Sequence, residues 1–324
     1  MRDFARRDAL SSAAWAVLAF NLAVIVWGAY VRASGAGAGC GDHWPLCNGV
    51  VVPLDASLKT RIEFAHRLTS GIALLMVVGL VAGARRLRPP GHPVRHAAAA
   101  SLVLMVTEAL IGAGLVLFRL VADDTSTARA IALPVHLVNT FALLGALTLT
   151  AWLASGRAAP APREARGSAL VSAGMLGGLL LVGITGAIAA LGDTLFPSAS
   201  LADGLIRDLS PTSHVLLRLR GLHPLLAAAA GIGVIAGVLR LSAASPAVRP
   251  WRTAVIALVL AQWGAGITNL VLLAPTWLQL VHLLLADVLW VVTVLACIAA
   301  LGRTAPVAMP VAPGARVPAP VGAR

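Results

Sequence analysis

The stretch Arg61-Ile62-Glu63-Phe64-Ala65-His66-Arg67 runs directly into LTSGIALLMVVGLVAGA, residues 68–84. An apolar run of this length, about 20 residues, fits one crossing of a bilayer as a helix. On a helix a three-residue step leaves Glu63 and His66 on one face, and Arg67, four residues after Glu63, reaches the same neighbourhood. A carboxylate, an imidazole and a guanidinium entering a membrane together are expensive and mark a candidate site. The competing reading is a juxtamembrane salt bridge at a helix end.

The same pattern recurs on both sides of this stretch. Apolar runs cover Ala13–Val31, Arg61–Ala84, Ala97–Phe118, Arg129–Ala154, Ser168–Leu191, Leu219–Arg240, Thr253–Leu273 and a last run from about residue 277 to Leu301. They predict eight spans in an all-α membrane protein. Composition agrees, with 59% hydrophobic and 12% charged residues in 324 and a mean hydropathy of +0.88; a soluble domain is far less apolar. The net charge of +12 does not indicate nucleic acid, because the basic residues are scattered between apolar runs without aromatic interleaving.

Of the 25 basic residues, 16 fall in the N-terminus, alternate loops and the tail. The positive-inside rule therefore expects both termini in the cytoplasm. Asp42, Asp55, Asp123, Asp124, Asp193, Asp203 and Asp208 then lie in outer loops. The Pro-rich linker 155–167 divides the chain into residues 1–155 and 168–303, four spans each, and residues 304–324 are expected to be a disordered tail. An even number of spans returns the second half in the orientation of the first, so two parallel-repeat four-helix bundles are expected. Glu108 followed by Gly112 and Gly114 in the third span echoes Gln262 followed by Gly264 and Gly266 in the seventh.

Spans two, four, six and eight each carry one histidine near the start: His66, His136, His223 and His282. All four helices enter from the outside, which puts the imidazoles some 5–10 Å below that boundary at about 1.5 Å per residue. Two imidazoles facing each other across a bundle suit the axial positions of a heme iron, with His66 paired to His136 and His223 to His282. His43, His214, His92 and His96 are expected to be solvated. Arg32, Arg67, Arg218 and Arg220 at the outer ends are candidates for heme propionates, with lipid headgroup contact as the alternative. Cys40 and Cys47 share an outer loop, where a disulfide is the first expectation; a metal site with Asp42 and His43, or a labile redox pair, are the alternatives. Cys297 is expected to pack. Glu108, near the midplane, is expected to be protonated or hydrogen-bonded, and Asp287 lies about 140° round its helix from His282, off the heme face.

The loop Gly-Cys40-Gly-Asp-His-Trp-Pro-Leu-Cys47-Asn-Gly, the Glu63-Phe-Ala-His66-Arg67 motif and the three further span-heading histidines together resemble heme A synthase. His43 is an insertion relative to the pattern expected for that family, and Glu108 stands where Gln is commoner. The resemblance implies an oxidoreductase that converts the C8 methyl of heme O to the formyl group of heme A for cytochrome oxidase assembly. It implies substrate heme O at His66 and His136, a resident heme b at His223 and His282, and Glu63 as the catalytic carboxylate. It also implies a heme O synthase and an electron-transfer partner in the plasma membrane, beside the membrane lipids themselves, and leaves homo-oligomerisation open. A non-catalytic diheme b-type cytochrome taking electrons from quinol needs the same four histidines, but gives no reason for Glu63. A transporter built from parallel repeats would want more ionisable groups at the midplane than Glu108.

Overall fold

A computed structural model describes residues 2–54 and 56–302, with side chains from residue 9 onward. Asp55 and the tail after Gly302 lie outside the described residues, as do the side chains of Arg2, Arg6 and Arg7. The described chain is almost entirely helical: α1 Arg2–Ala33, α2 Leu58–Leu87, α3 Pro93–Leu117, α4 Thr127–Ala154, α5 Arg166–Leu195, α6 Leu201–Leu209, α7 Val215–Arg220, α8 Leu222–Ala244, α9 Arg249–Val271 and α10 Thr276–Leu301. Eight of these stretches, with α7 and α8 together forming one, are long and apolar enough to cross a membrane.

Local chemistry sets the ends. Ser57 and Ser126 accept the backbone N–H groups of Thr60 and Arg129, each satisfying a donor that the first turn leaves open. Pro93 starts α3, where a missing N–H costs nothing. Between α7 and α8 the helix breaks at Gly221. Pro224 explains the break, because it has no N–H to give the carbonyl of Arg220 and its ring crowds that carbonyl. The sixth span therefore starts four residues earlier than its hydropathy suggests, at Val215, and Asp193 falls within the last turn of α5 rather than in the loop. That loop also folds into α6, whose Leu201, Leu205, Ile206 and Leu209 are all exposed and share one face.

In the first half, α1 packs on α2, α2 on α3, α3 on α4 and α4 back on α1; in the second, α5, α8, α9 and α10 close a similar ring. The rings meet where α4 touches α5 and α10, and where α1 touches α10. Phe141 of α4 stacks on Trp290 of α10 with centroids 4.9 Å apart, and Trp290 Nε1 donates to the Phe141 carbonyl at 2.7 Å. This contact hydrogen-bonds a buried indole that would otherwise be costly. Arg32 adds a polar tie, donating to Ala190 O at 3.0 Å, Thr194 Oγ1 at 2.7 Å and Gln279 Oε1 at 3.0 Å.

Candidate functional site

His66 is the ninth residue of α2, His136 the tenth of α4, His223 the ninth of the span beginning at Val215 and His282 the seventh of α10. Consecutive membrane-crossing helices alternate in direction, so these four spans run one way and their histidines fall at one end. All four side chains are half-buried. His66 and His136 stand near enough for their charges to interact, and so do His223 and His282.

A glycine of the preceding span backs each ring. A methyl group at Gly28 would lie 2.8 Å from His66 Cε1, one at Gly186 would lie 3.0 Å from His223 Cε1, and one at Gly266 would lie 3.2 Å from His282 Cε1. The corresponding distance from Gly112 to His136 Cε1 is 3.9 Å. At the first three positions a side chain would crowd the ring, so the glycine lets the imidazole approach the neighbouring helix closely.

The ring nitrogens differ in what they meet. His66 Nδ1 and His282 Nδ1 are buried without a hydrogen-bond partner among the described residues. His223 Nδ1 is 3.1 Å from Thr185 Oγ1, which orients the ring and leaves Nε2 for another bond. His136 Nε2 is 3.1 Å from Glu108 Oε1, and His282 Nε2 is 3.4 Å from Gln262 Nε2. Glu108, which sequence reasoning left without a role, thus belongs to the site. Its echo with Gln262, four residues before a glycine in each half, was the available signal.

Glu63 is buried and fully engaged. Its Oε2 accepts the Cys40 N–H at 2.8 Å, and its Oε1 accepts Arg67 Nε at 3.1 Å and Nη2 at 2.5 Å. Arg67 Nη1 also donates to the carbonyls of His43 and Leu46 at 2.6 and 2.7 Å. Cys40 and Cys47 form a disulfide. Gly39 brings this loop onto α2, since a methyl there would sit 2.5 Å from Lys59 O, and Thr60 Oγ1 donates to Gly39 O at 2.8 Å. The Glu63 and Arg67 pair therefore clamps the disulfide loop onto the turn of α2 that carries His66. Outside this clamp, Asp42 pairs with Arg119, and that ion pair holds the Asp42 carboxyl below the usual carboxylate range, chiefly through the hydrogen bond from Arg119.

Of the four arginines considered for propionates, three have protein partners. Arg32 links α1 to α5 and α10, Arg67 holds the loop, and Arg220 pairs with Asp193 at 2.9 Å and Asp208 at 2.6 Å. Arg218 is exposed. His43, His96 and His214 are exposed and Cys297 is buried, as expected; His92 is half-buried and caps α3. Asp287 is fully buried in α10, and neither of its carboxylate oxygens has a hydrogen-bond partner among the described residues.

The donor set fits a heme. Each half offers two half-buried imidazoles within electrostatic range of each other, three of the four rings lie against glycines where a methyl would crowd them, and two carry buried nitrogens without partners among the described residues. Imidazole is a standard axial ligand of heme iron.

Known proteins share this framework. The family model for COX15-CtaA, described as cytochrome oxidase assembly protein, matches residues 12–294. A Thermus thermophilus protein named protoheme IX farnesyltransferase is 48% identical over 301 residues, covering 91% of this chain and 49% of its own length. A heme A synthase from Shouchella clausii is 40% identical over 97 residues, covering 30% of this chain and 32% of its own length. One from Bacillus mycoides is 41% identical over 97 residues, covering 30% and 31%. The chain thus spans about half the length of the Thermus relative and about a third of each synthase.

Proposed function

Because the chain belongs to the COX15-CtaA family of cytochrome oxidase assembly proteins, we propose that it is a heme A synthase, a multi-pass membrane enzyme that oxidises the C8 methyl of heme O to a formyl group. The observation that carries this reading is the pairing of half-buried imidazoles in both halves, with glycines backing the rings. The substrate heme would lie between His66 and His136, and His223 and His282 would hold a resident heme b. When bound, that heme supplies one-electron transfer.

Converting a methyl to a formyl group removes four electrons and takes its oxygen from outside the porphyrin. An electron-accepting partner is therefore required, and a heme O synthase must supply the substrate. Glu63, three residues before His66, is the carboxylate of the reaction. It takes a proton from attacking water at a carboxylate oxygen or stabilises positive charge developing at the methyl. Its bonds from Arg67 and Cys40 fix its orientation in advance. Arg218 has no partner among the described residues and would offer its guanidinium to a propionate, while Arg32, Arg67 and Arg220 would share theirs with existing partners. Residues 1–155 and 168–303 are the two repeats. The arginine distribution orients both termini to the cytoplasmic side of the plasma membrane.

A second reading, prenyl transfer to heme, follows the name of the Thermus relative. Prenyl transfer from a diphosphate uses acidic side chains around a divalent cation. Among the described residues no three His, Cys, Asp or Glu side chains gather to hold a metal ion. Half of that relative lies outside the match and could house such a site.

One experiment separates the readings. Purified protein is supplied with heme O and an electron acceptor in one sample, and with heme b and farnesyl diphosphate in another, and the extracted pigments are identified. Heme A or a hydroxylated heme O intermediate supports the synthase, and farnesylated heme supports prenyl transfer. Unchanged heme O in the first sample together with unchanged heme b in the second supports the diheme carrier and ends the proposal.

A further inference from the structure

We propose that Glu108 is a positioning residue that holds His136 off iron, so that the N-terminal half keeps an open axial position while the C-terminal half does not. The inference rests on the heme reading above and divides the labour between the halves.

The first observation is a competition at one atom. An imidazole nitrogen is sp2 and has a single in-plane bonding direction. A bond from His136 Nε2 to Glu108 Oε1, 3.1 Å away, uses the direction that iron would need.

The second is how firmly Glu108 is held. Thr140 Oγ1 donates to its Oε1 at 2.5 Å and Asn139 Nδ2 to its Oε2 at 2.6 Å. Asn139 is itself fixed, donating to Leu104 O at 3.0 Å and accepting from Thr107 Oγ1 at 2.7 Å. Thr140 and Asn139 follow His136 by one turn of the same helix, so the carboxylate, its supports and the imidazole form one rigid patch between α3 and α4.

The third is the contrast in the other half. Gln262 stands four residues before Gly266, as Glu108 stands four before Gly112. Its Nε2 is 3.4 Å from His282 Nε2, and its buried Oε1 has no partner among the described residues. A neutral amide with one long contact and no anchor gives way easily. His282 would therefore be free to bind iron, and His223, oriented through Nδ1 by Thr185, would be its partner in holding the heme.

The asymmetry matches the two tasks. A substrate must enter and leave, and one permanent ligand, His66, permits that. A resident cofactor has to stay, which two ligands secure.

The test is made on the full-length protein purified with both hemes, comparing wild type, Glu108→Gln and the reciprocal Gln262→Glu. Heme content is measured first, then the spin state of the oxidised hemes and carbon monoxide binding by the reduced ones. Wild type should show one heme of two that binds carbon monoxide. Glu108→Gln should weaken that binding about 10- to 100-fold, the range carried by a hydrogen bond to a charged group, and shift the N-terminal heme to low spin. Gln262→Glu should make the second heme bind carbon monoxide. Two hemes with ligand binding unchanged in both variants overturn the tether and leave the synthase reading standing. A wild-type protein that never holds a second heme overturns the synthase reading and the tether with it.

Discussion

Glu63 accepts the backbone N–H of Cys40 across 23 residues of sequence, at 2.8 Å, while its other oxygen takes the guanidinium of Arg67. One carboxylate thus fixes the disulfide loop and stands three residues from His66. The two duties separate by substitution. Glu63→Gln keeps an acceptor for Cys40 and should retain heme, but heme A formation should fall about 100-fold or more, the scale of a lost proton-transfer group. Glu63→Ala strands Arg67 and the Cys40 N–H, a loss of about 3 kcal/mol for a buried pair, and should open residues 34–54 to protease. Normal heme A yield from Glu63→Gln takes the carboxylate out of the chemistry.

The glycines behind the imidazoles are graded by distance. Gly28→Ala drives a methyl to within 2.8 Å of His66, whereas Gly112→Ala leaves 3.9 Å to His136. The first should cost about 1–3 kcal/mol by overpacking and displace the ring, and the second should be nearly silent. Heme content per protein, measured for both, checks this; equal retention in the two variants contradicts the cradle.

Arg32 reaches Ala190, Thr194 and Gln279 with both arms of its guanidinium. Lysine offers a point charge without the planar fork. Arg32→Lys should lose at least one of the three bonds, about 1–3 kcal/mol, and lower the midpoint of thermal unfolding in detergent. An unchanged midpoint with reduced heme content would instead put Arg32 on a propionate.

The ion pair between Asp42 and Arg119 gives an acid-dependent contribution. The Asp42 carboxyl is held below its ordinary range when folded, so its stabilisation is fully present above the unfolded value, about pH 4, and disappears as pH falls through the lower folded value. Cleavage of the Cys loop by an acid-active protease should rise below about pH 4. Asp42→Asn should show a smaller rise and near-normal resistance at neutral pH, because exposed pairs contribute little. Superimposable pH curves for the two proteins would leave the pair without effect.

The eight spans and the head-of-helix histidines were legible in the sequence because hydropathy and position along a helix are local properties. The contact between Glu108 and His136 was not, since it depends on how α3 and α4 rotate against each other. The repeated Glu108 and Gln262 spacing hinted at it. The break at Gly221 was readable from Pro224. The arginines were harder: electrostatics alone suggested propionates for Arg32 and Arg220, but the partners they meet, Gln279, Asp193 and Asp208, come from packing between distant segments.

In α10, 67% of the most apolar window is buried, against at most 33% in any other span, and this helix touches both rings. It is also the last of the eight to leave the ribosome. The seven earlier spans must therefore wait in the bilayer around an unfilled centre, shielded by lipid or an insertion chaperone, until residues 276–301 arrive. His282 arrives with them, so the pairing of His223 with His282 forms only once the last of the eight spans has been made.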